Sequence, residues 1–321
     1  MAGEAASEAA SVDVVIPTYD GWDLLRSCLD HLRPQTAAHR PIVVDDASTD
    51  GTAERVAELY PEATLVALPS NRGFSRAVNA GIAAGDGEIV VLLNNDVECR
   101  PEFVERIAAP LGDDPSVGSV AALLLQRDGE RVDNLGLEID YTLAGFPRHW
   151  GERVDGGGLG GTAGLLGPVG GAGAYRREAL EAVGALDEAI FGYGEDLDLA
   201  LRLRAAGWGC AAAPDAVGVH LGSASFGRHS PRQVFHRGWS RAYLLRKYGI
   251  ARDPRALVRA GFSEAGSVAW QLARTRETAG LRGRIAGWRA GRRELAVPEG
   301  AVNRQIGLLE TLRRRRSYRG G

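Results

Sequence analysis

The first half of the chain alternates short apolar runs with segments whose apolar residues recur at helical spacing. The apolar runs predict strands at residues 12–17, 41–48, 63–68 and 88–93. Three helices are predicted between them, at residues 24–32, 48–59 and 73–85. Strands that are apolar throughout and alternate with helices are typical of a parallel sheet covered by helices on both faces. The pattern therefore predicts an α/β fold.

The second half of the chain follows a less regular pattern. Between residues 117 and 169 we expect an apolar strand, an alternating antiparallel segment and a Gly-rich loop. A Gly-rich strand running into a helix, an amphipathic helix and two short strands are predicted next, at residues 169–184, 194–207, 211–213 and 216–219. Beyond Pro231 the pattern predicts helices rich in arginine, without a strong strand signal.

The composition is that of an ordinary globular protein, with 45% hydrophobic and 25% charged residues. The longest apolar runs fall far short of the roughly 20 residues that a membrane span needs. The N-terminus lacks the basic start and apolar core of a secretory signal, so residues 1–11 are expected to form a disordered tail. Cys28, Cys99 and Cys210 show no CxxC spacing and are expected to be buried thiols in a reducing compartment.

Charge is distributed unevenly along the chain. Residues 226–321 hold 22 Lys and Arg against 6 Asp and Glu, a net charge of +16, whereas the other 225 residues have a net charge of −19. Two regions with different surfaces are expected. The basic C-terminal helices could pack on the preceding part of the chain, bind an anionic membrane surface or form a homodimer. Nucleic acid is disfavoured as a partner, because no recognition motif accompanies the charge.

Polar side chains follow three of the predicted strands where they end: Thr18–Asp20, Asp45–Asp46 and Asn94–Asp96. In a parallel sheet such ends meet at one edge, where ligands of these folds bind. Asx-type turns and helix capping are the ordinary alternatives. The functional interpretation is a hard-cation site at Asn94–Asp96 and a nucleobase or ribose contact at Asp46.

Two further positions carry candidate chemistry. Glu195 and Asp196 open a predicted helix, where acidic side chains complement the helix dipole but can also serve as a general base. A lone histidine is more often structural, yet the place of His220 at a strand end favours a metal ligand. The dinucleotide fingerprint, the P-loop and the serine-hydrolase elbow are all missing, which argues against those enzyme classes.

Six segments in this order resemble family 2 glycosyltransferases of the GT-A fold, in a bacterial rhamnosyltransferase-like branch. They are VDVVIPTYDGWDLLRSCL, IVVDDASTDGT, NRGFSRAVNAGI, VVLLNND, GPVGGAGAYRREALEAVGALDEAIFGYGEDLDLALRLRAAGW and AVGVH. The resemblance implies a mostly parallel central sheet flanked by helices. It covers residues 12–250, with a nucleotide-binding half at 12–98 and an acceptor-binding half at 99–250. Residues 251–321 would form a basic helical C-terminal extension.

Carried over position by position, the resemblance implies a donor site and a metal site. Asp96 and His220 would bind a divalent metal, Mg²⁺ or Mn²⁺, and Asp196 would be the catalytic base, with Glu195 beside it contacting the acceptor. Asn94 replaces the first acid of the family's Asp-x-Asp pattern, which leaves strict metal dependence open. The donor would be held by Pro17, Thr18, Tyr19, Asp46, Arg72, Arg76, Asn79, Asn94 and Asn95.

The implied activity is inverting transfer of a sugar from a nucleotide-diphospho-sugar, dTDP-rhamnose or a UDP-hexose, to a hydroxyl acceptor in polysaccharide or glycoconjugate biosynthesis. A glycan or lipid-linked acceptor would be met by loops at 143–167 and 222–230, in the cytoplasm or peripherally on the inner membrane face. One alternative is a sugar-phosphate nucleotidyltransferase, disfavoured because the loop TYDGWD lacks lysine. The other is an inactive nucleotide-sugar-binding protein, disfavoured because Asp196 and His220 are both present.

Overall fold

The computed structural model describes residues 11–156, 159–222 and 230–317. Most of the predicted tail, and parts of both predicted acceptor loops, therefore lie outside the described residues. Within them the strands are β1 Val12–Thr18, β2 Arg40–Asp45, β3 Thr64–Ala67, β4 Ile89–Leu93, β5 Val97–Cys99, β6 Val117–Leu125, β7 Val132–Asn134, β8 Leu137–Ile139, β9 Gly145–Pro147, β10 Ala172–Arg176 and β11 Gly209–His220. The helices are α1 Trp22–Leu32, α2 Thr52–Leu59, α3 Phe74–Ala84, α4 Phe103–Asp113, α5 Arg177–Val183, α6 Glu195–Ala205, α7 Pro231–Lys247, α8 Pro254–Thr275, α9 Ala279–Ala290 and α10 Leu308–Ser317.

Nine strands form the central sheet, in the order β3-β2-β1-β4-β10-β6-β11-β5 with β7 beside β6. Six of the nine run in the same direction, and β5, β7 and β10 run against them. Residues of α1 and α4 pack on one face, and residues of α3, α5 and α6 pack on the other. The predicted α/β class, with a mostly parallel sheet between helices, is confirmed.

The strands at the centre of the sheet are apolar because both of their faces are covered. Every residue of β1 and of β4 is buried. The parallel register sets Thr18 opposite Asp45 and Val15 opposite Leu92. The polar residues that follow β1, β2 and β4 therefore emerge at the same edge of the sheet, as expected for parallel neighbours.

Two parts of the second half differ from the predicted pattern. The two short strands predicted at 211–213 and 216–219 are one strand, β11, whose register with β6 shifts between Ala213 and Val217. Pro214 lies in this interval and has no N–H for the ladder, so the shift absorbs it. The sequence pattern does not predict α4, since Pro110 and Gly112 weaken its helical signal.

The C-terminal helices pack against the rest of the chain, which confirms the predicted helical extension. A Cβ added at Gly287 of α9 would lie 2.0 Å from the carbonyl oxygen of Trp239, so α9 and α7 are in backbone contact. Leu244 and Tyr248 share a core with Leu201 of α6. Of the helices in the described ranges, none combines the length and apolarity required to cross a bilayer.

Candidate active site

A cavity opens at the carboxyl edge of the sheet, beside the ends of β1 and β2. Its wall includes four of the predicted donor residues: Pro17, Thr18, Tyr19 and Asp46. The rest of the lining is Asn71, Gly73, Phe74, Ala77, Phe191 and Arg232. An aromatic ring, a carboxylate and a guanidinium together suit a ligand that has a planar base, hydroxyl groups and an anionic phosphate.

Asp46 anchors the loop that leads into α3. Its two carboxylate oxygens accept hydrogen bonds from the backbone N–H groups of Arg72, at 2.7 Å, and Gly73, at 2.8 Å. Burial raises the pKa of Asp46, although these two hydrogen bonds oppose the shift. A carboxylate oxygen has two lone pairs. Asp46 can therefore shape this loop and still accept a hydrogen bond from a ligand in the cavity.

The far wall of the cavity comes from Phe191 and the start of α7. Gly73 has a φ of +89°, and a Cβ there would lie 2.6 Å from the Phe191 carbonyl oxygen. The same oxygen accepts a hydrogen bond from the N–H of Phe74 at 2.8 Å. The Phe191 ring stacks on His236 and faces the Arg232 guanidinium, 5.1 Å from the ring centre. No local sequence pattern marks Phe191 or Arg232 as a site residue.

The three predicted donor residues around α3 contribute differently. Arg72 donates its backbone N–H to Asp46 and is not among the residues that line the cavity. Arg76 forms an exposed ion pair with Glu188, with 3.5 Å between nitrogen and oxygen. Asn79 exchanges two hydrogen bonds with the backbone of Leu186, at 2.9 and 3.0 Å. Neither Arg76 nor Asn79 is among the residues that line the cavity.

The segment after β4 directs its three polar residues to different partners. Asn95 donates from Nδ2 to Oγ1 of Thr18 at 2.9 Å, and thereby joins the ends of β4 and β1. The backbone N–H of Asn94 donates to the carbonyl of Gly171 at 2.9 Å. Asp96 is 4% exposed, and its Oδ1 has no hydrogen-bond partner among the described residues. An unpaired buried carboxylate oxygen is costly, which points to a ligand.

His220 lies between two carboxylates. Its Nε2 is 3.4 Å from Oδ2 of Asp96, and its Nδ1 is 3.2 Å from Oδ2 of Asp133. Burial alone would lower the pKa of His220, but the hydrogen bonds to Asp133 and Asp96 outweigh it and raise the pKa to about 10. The structure thus brings the predicted pair Asp96 and His220 into contact. Asp133, in the short strand β7, was missed because no pattern marks it.

Glu195 and Asp196 open α6. Asp196 accepts hydrogen bonds from the N–H groups of Gly170, at 3.1 Å, and Leu197, at 2.7 Å. Glu195 is buried, and its Oε2 has no partner among the described residues. Asp196 is partly exposed, so a hydroxyl group from solvent or an acceptor can approach it. Of the two carboxyl groups, Asp196 is the more accessible.

Both carboxyl groups hold their protons more tightly than ordinary acids do. Burial, and then the negative charge of Asp196, raise the pKa of Glu195 to about 8. Burial also raises the pKa of Asp196, against the backbone hydrogen bonds that stabilise its charge. Carboxylates with raised pKa values are better suited to accept a proton near neutral pH.

Gly170 and Gly171 join the start of α6 to the end of β4. Gly170 donates to Asp196, and the carbonyl of Gly171 accepts from Asn94. A Cβ at Gly170 would lie 3.4 Å from Oε1 of Glu195, so only a small residue keeps the space before these carboxylates open. The two carboxylates and the segment that carries Asp96 are therefore neighbours at one edge of the sheet.

Comparison with known proteins identifies the family. The family model described as glycosyl transferase family 2 matches residues 13–184, more than half of the chain. The chain belongs to glycosyl transferase family 2. The matched region holds the cavity-lining ends of β1 and β2, Asp96 and the Gly170–Gly171 pair. As a member of this family the protein is a glycosyltransferase, as the sequence predicted.

Individual relatives support the same assignment. The chain is 30% identical over 277 residues to an N-acetylglucosaminyl-diphospho-decaprenol L-rhamnosyltransferase of Mycobacterium tuberculosis, which covers 72% of this chain and 87% of the relative. It is also 30% identical over 208 residues to an O-antigen biosynthesis protein of Myxococcus xanthus, which covers 61% of this chain but only 16% of that protein. A rhamnosyltransferase-like branch of family 2 is consistent with both.

A solved structure shares the fold. A mannosyltransferase from Pyrobaculum calidifontis, in complex with GDP-Man and Mn²⁺, matches with a TM-score of 0.53 and 23% identity. The match covers 87% of this chain and 74% of the mannosyltransferase. At this identity the likeness shows the GT-A type of fold and nothing of the ligand.

The residues at the edge of this glycosyltransferase's sheet fit a divalent metal that binds together with a diphosphate. Asp96 offers its unpaired Oδ1, and Nε2 of His220 lies beside the same carboxylate. Carboxylate oxygen and imidazole are ligands that Mg²⁺ or Mn²⁺ accepts. In the described ranges no three His, Cys, Asp or Glu side chains form a metal cage. The protein would supply two ligands, and phosphate and water oxygens the others.

Proposed function

We propose that this glycosyltransferase is an inverting enzyme that moves a sugar from a nucleotide-diphospho-sugar to a hydroxyl of a glycan or lipid-linked acceptor in polysaccharide or glycoconjugate assembly. The observation that carries the proposal is the adjacency of Asp196 to the Asp96 segment through Gly170 and Gly171. Inversion by single displacement needs one base on the acceptor side and charge stabilisation on the leaving-group side. This edge of the sheet offers both kinds of group.

Asp196 is the proposed base. Its partly exposed carboxylate would accept the proton of the acceptor hydroxyl as that oxygen attacks the anomeric carbon, while the bond to the diphosphate breaks. Backbone N–H groups of Gly170 and Leu197 fix the carboxylate for this approach. Glu195, buried beside it, would contact the acceptor. A divalent metal held by Asp96 and His220 would offset the negative charge that grows on the departing diphosphate.

The cavity beside β1 and β2 would hold the nucleoside. Asp46 and Tyr19 line this cavity and would bind the polar groups of the nucleoside, and Arg232 brings a positive charge to the same wall. We propose dTDP-rhamnose as the donor, with UDP-hexoses second. The support is the likeness to the mycobacterial L-rhamnosyltransferase, which extends over most of both chains.

The test is a transfer assay with the purified chain and an N-acetylglucosaminyl-diphospho-lipid of short chain length. Each nucleotide sugar is supplied separately, with Mn²⁺, and nucleotide release and product are measured. We expect turnover with dTDP-rhamnose and a product whose anomeric configuration, read by NMR, is opposite to that of the donor. A product with the donor's configuration would overturn inversion, and turnover only with another nucleotide sugar would overturn the donor.

We also propose that α8 and α9 bind an anionic membrane surface, where a lipid-linked acceptor would be found. Val258 and Phe262 on α8 are 57% and 71% exposed, and Ile285 and Trp288 on α9 are also exposed. These side chains belong to the basic part of the chain, with its net charge of +16. Exposed apolar groups among arginines suit the interface of an anionic bilayer.

Flotation with anionic and with neutral vesicles tests the membrane proposal. We expect the chain to float with anionic vesicles only, and a double change, Val258→Ser with Phe262→Ser, to abolish this. Leu59→Ser is the matched control, because Leu59 is 48% exposed on α2 in the acidic part of the chain. Equal flotation of the double variant and the Leu59→Ser variant with anionic vesicles would overturn the proposed membrane contact. If the unmodified chain does not float but sediments as a dimer, and the double variant sediments as a monomer, the exposed face of α8 and α9 would be assigned to contact with a second copy of the chain.

A further inference from the structure

Asp133 is joined to His220 by strand pairing. Strands β7 and β11 both pair with the end of β6, so that Leu125 lies opposite Val132 in one and opposite Val219 in the other. The residues that follow each of these, Asp133 and His220, meet across β6, with 3.2 Å between Oδ2 and Nδ1. The contact joins positions 87 residues apart in the chain.

The two ring nitrogens of His220 have different partners. Nδ1 is occupied by Asp133, and Nε2 is directed to the Asp96 carboxylate at 3.4 Å. A carboxylate that accepts Nδ1–H leaves the Nε2 lone pair as the ring's only donor to a metal, and it fixes the plane of the ring. Asn134 donates from Nδ2 to the same Asp133 oxygen at 2.8 Å, which holds that carboxylate in turn.

We propose that Asp133 is a positioning residue for the metal site, and this rests on the proposed function of Asp96 and His220 as metal ligands. Through the imidazole it fixes which nitrogen faces the Asp96 carboxylate and increases the basicity of that nitrogen. This contribution matters more here than in a site with two acids, because Asn94 leaves Asp96 as the one carboxylate of the Asn94–Asn95–Asp96 segment. Loss of such a hydrogen-bonding partner typically weakens metal affinity by about 10- to 100-fold.

The experiment measures Mn²⁺ affinity directly, by the EPR signal of free Mn²⁺, with the full chain and UDP or dTDP present. For Asp133→Asn we expect affinity to fall by about 10- to 100-fold. Transfer by the variant should recover at saturating Mn²⁺, with kcat close to that of the unmodified chain. Glu130→Gln is the matched control, since Glu130 is an exposed acid just before β7, and its ion pair is with Arg153. We expect it to leave Mn²⁺ affinity unchanged.

The outcomes separate the two proposals. Equal Mn²⁺ affinity of the Asp133→Asn and Glu130→Gln variants would overturn the role of Asp133 while leaving the metal site in place. An unmodified chain that transfers sugar but binds no Mn²⁺ with nucleotide would overturn the metal site, and the role of Asp133 with it. An unmodified chain that transfers no sugar but binds Mn²⁺, with the variant weakened, would overturn the proposed function alone.

A measurement on the unmodified chain covers the case in which Asp133→Asn fails to fold. In the complex with Mg²⁺ and nucleotide, ¹⁵N NMR should show His220 with its proton on Nδ1, assigned by the signal lost in His220→Gln. A His220 ring protonated on Nε2 in that complex would exclude the positioning role.

Discussion

Helix α6 begins with three acidic residues in four positions, and the two ends of this short run have opposite surroundings. Glu195 and Asp196 face the edge of the sheet, where Oε2 of Glu195 has no partner among the described residues. Asp198, completely buried, accepts hydrogen bonds from Arg202 at 2.8 Å and from Lys247 and Tyr248 at 2.9 Å each. The acid that begins this helical turn thus has an oxygen without a partner among the described residues, whereas the acid that ends it has partners for both oxygens.

The paired end belongs to a buried network that ties α6 to α7. Lys247, the only lysine in the chain, is 3% exposed and also contacts Asp187 at 2.6 Å. Tyr243 donates to the same Asp187 oxygen at 2.8 Å. Although burial would raise the pKa of Asp187, the hydrogen bonds from Lys247, the Ala189 N–H and Tyr243 hold it below its ordinary value. Here the charges stabilise the fold, and they hold α6 where its first turn reaches the site.

Hydrogen-bond pairing separates the structural acids of this run from those that could act on a ligand. A buried carboxylate whose oxygens are all paired has its charge compensated by the protein. One with an orphaned oxygen and a raised pKa lowers stability unless a ligand compensates it. On this basis the orphaned oxygen of Glu195 points to a ligand, whereas Asp198 is structural. Asp196, whose two oxygens accept hydrogen bonds only from backbone N–H groups among the described residues, stays the proposed base.

The largest expected effect is that of Asp196→Asn. Removing the proposed base should lower kcat by roughly 10²- to 10⁴-fold. Nucleotide binding, measured by calorimetry, should survive, and Tm should not fall, because the Asp198 network is untouched. Asp198→Asn, two positions along the same helix, is the control and should lower Tm. Near-normal turnover by the Asp196 variant would remove Asp196 from the role of base.

Lys247→Met tests the paired end. It leaves the partly buried Asp187 without its lysine and leaves buried Asp198 with Arg202 as its remaining cation, so the free energy of unfolding should fall by about 3–5 kcal/mol. Urea denaturation followed by circular dichroism gives this value. Arg76→Met breaks an exposed pair with Glu188 and should change the same quantity by less than about 1 kcal/mol. Similar losses in both variants would mean that burial of the network adds no stability.

Glu195→Gln tests the unpaired end through pH. Because the folded pKa of about 8 exceeds the ordinary 4.5, the folded state binds the Glu195 proton more tightly than the unfolded state does. The contribution of this proton to the free energy of unfolding is full below pH 4.5 and is lost as pH rises towards 8. Glutamine cannot ionise, so the Tm of the variant should rise relative to that of the unmodified chain as the pH increases across this window. Parallel Tm curves from pH 4 to 9 would contradict a raised pKa.

The strands that carry the site could be predicted because their signal is local. Residues 12–17 and 88–93 are apolar throughout, and the polar residues after them had to emerge together once the strands were parallel. His220 was likewise marked by its place at a strand end. These predictions needed only local sequence patterns and the rule that the carboxyl ends of parallel strands lie at one edge of the sheet.

The partners of those residues depend on contacts between distant positions, which no local pattern records. Asp133 contacts His220 across 87 positions, and Arg232 reaches the cavity beside β1 and β2 from a helix that the sequence marked only as basic. In the sequence Asp196 and Asp198 look alike, because the lysine that pairs with Asp198 follows 49 positions later. The sequence therefore predicted the candidate acidic groups, but not which of them have their charge compensated by a cation of the protein.

The smallest expected effect comes from the glycine pair beside Asp196. A Cβ at Gly170 would make ordinary contacts, 3.4 Å from Glu195 Oε1 and 3.7 Å from Asp196 Oδ2, in the space that an acceptor hydroxyl would use. Gly170→Ala should therefore lower kcat by roughly tenfold through misplacement of the acceptor and leave Tm unchanged.

Gly171→Ala provides the contrast, because its Cβ would lie 2.6 Å from Cδ1 of Leu124 in the sheet core. This overpacking should lower the free energy of unfolding by about 1–3 kcal/mol. The two adjacent glycines would then differ in the same way as the acids of α6. Gly170→Ala would change kcat, and Gly171→Ala would change the free energy of unfolding. If Gly170→Ala instead lowered Tm and kept kcat, the space before Asp196 would belong to the fold, and the acceptor would have to approach from another side.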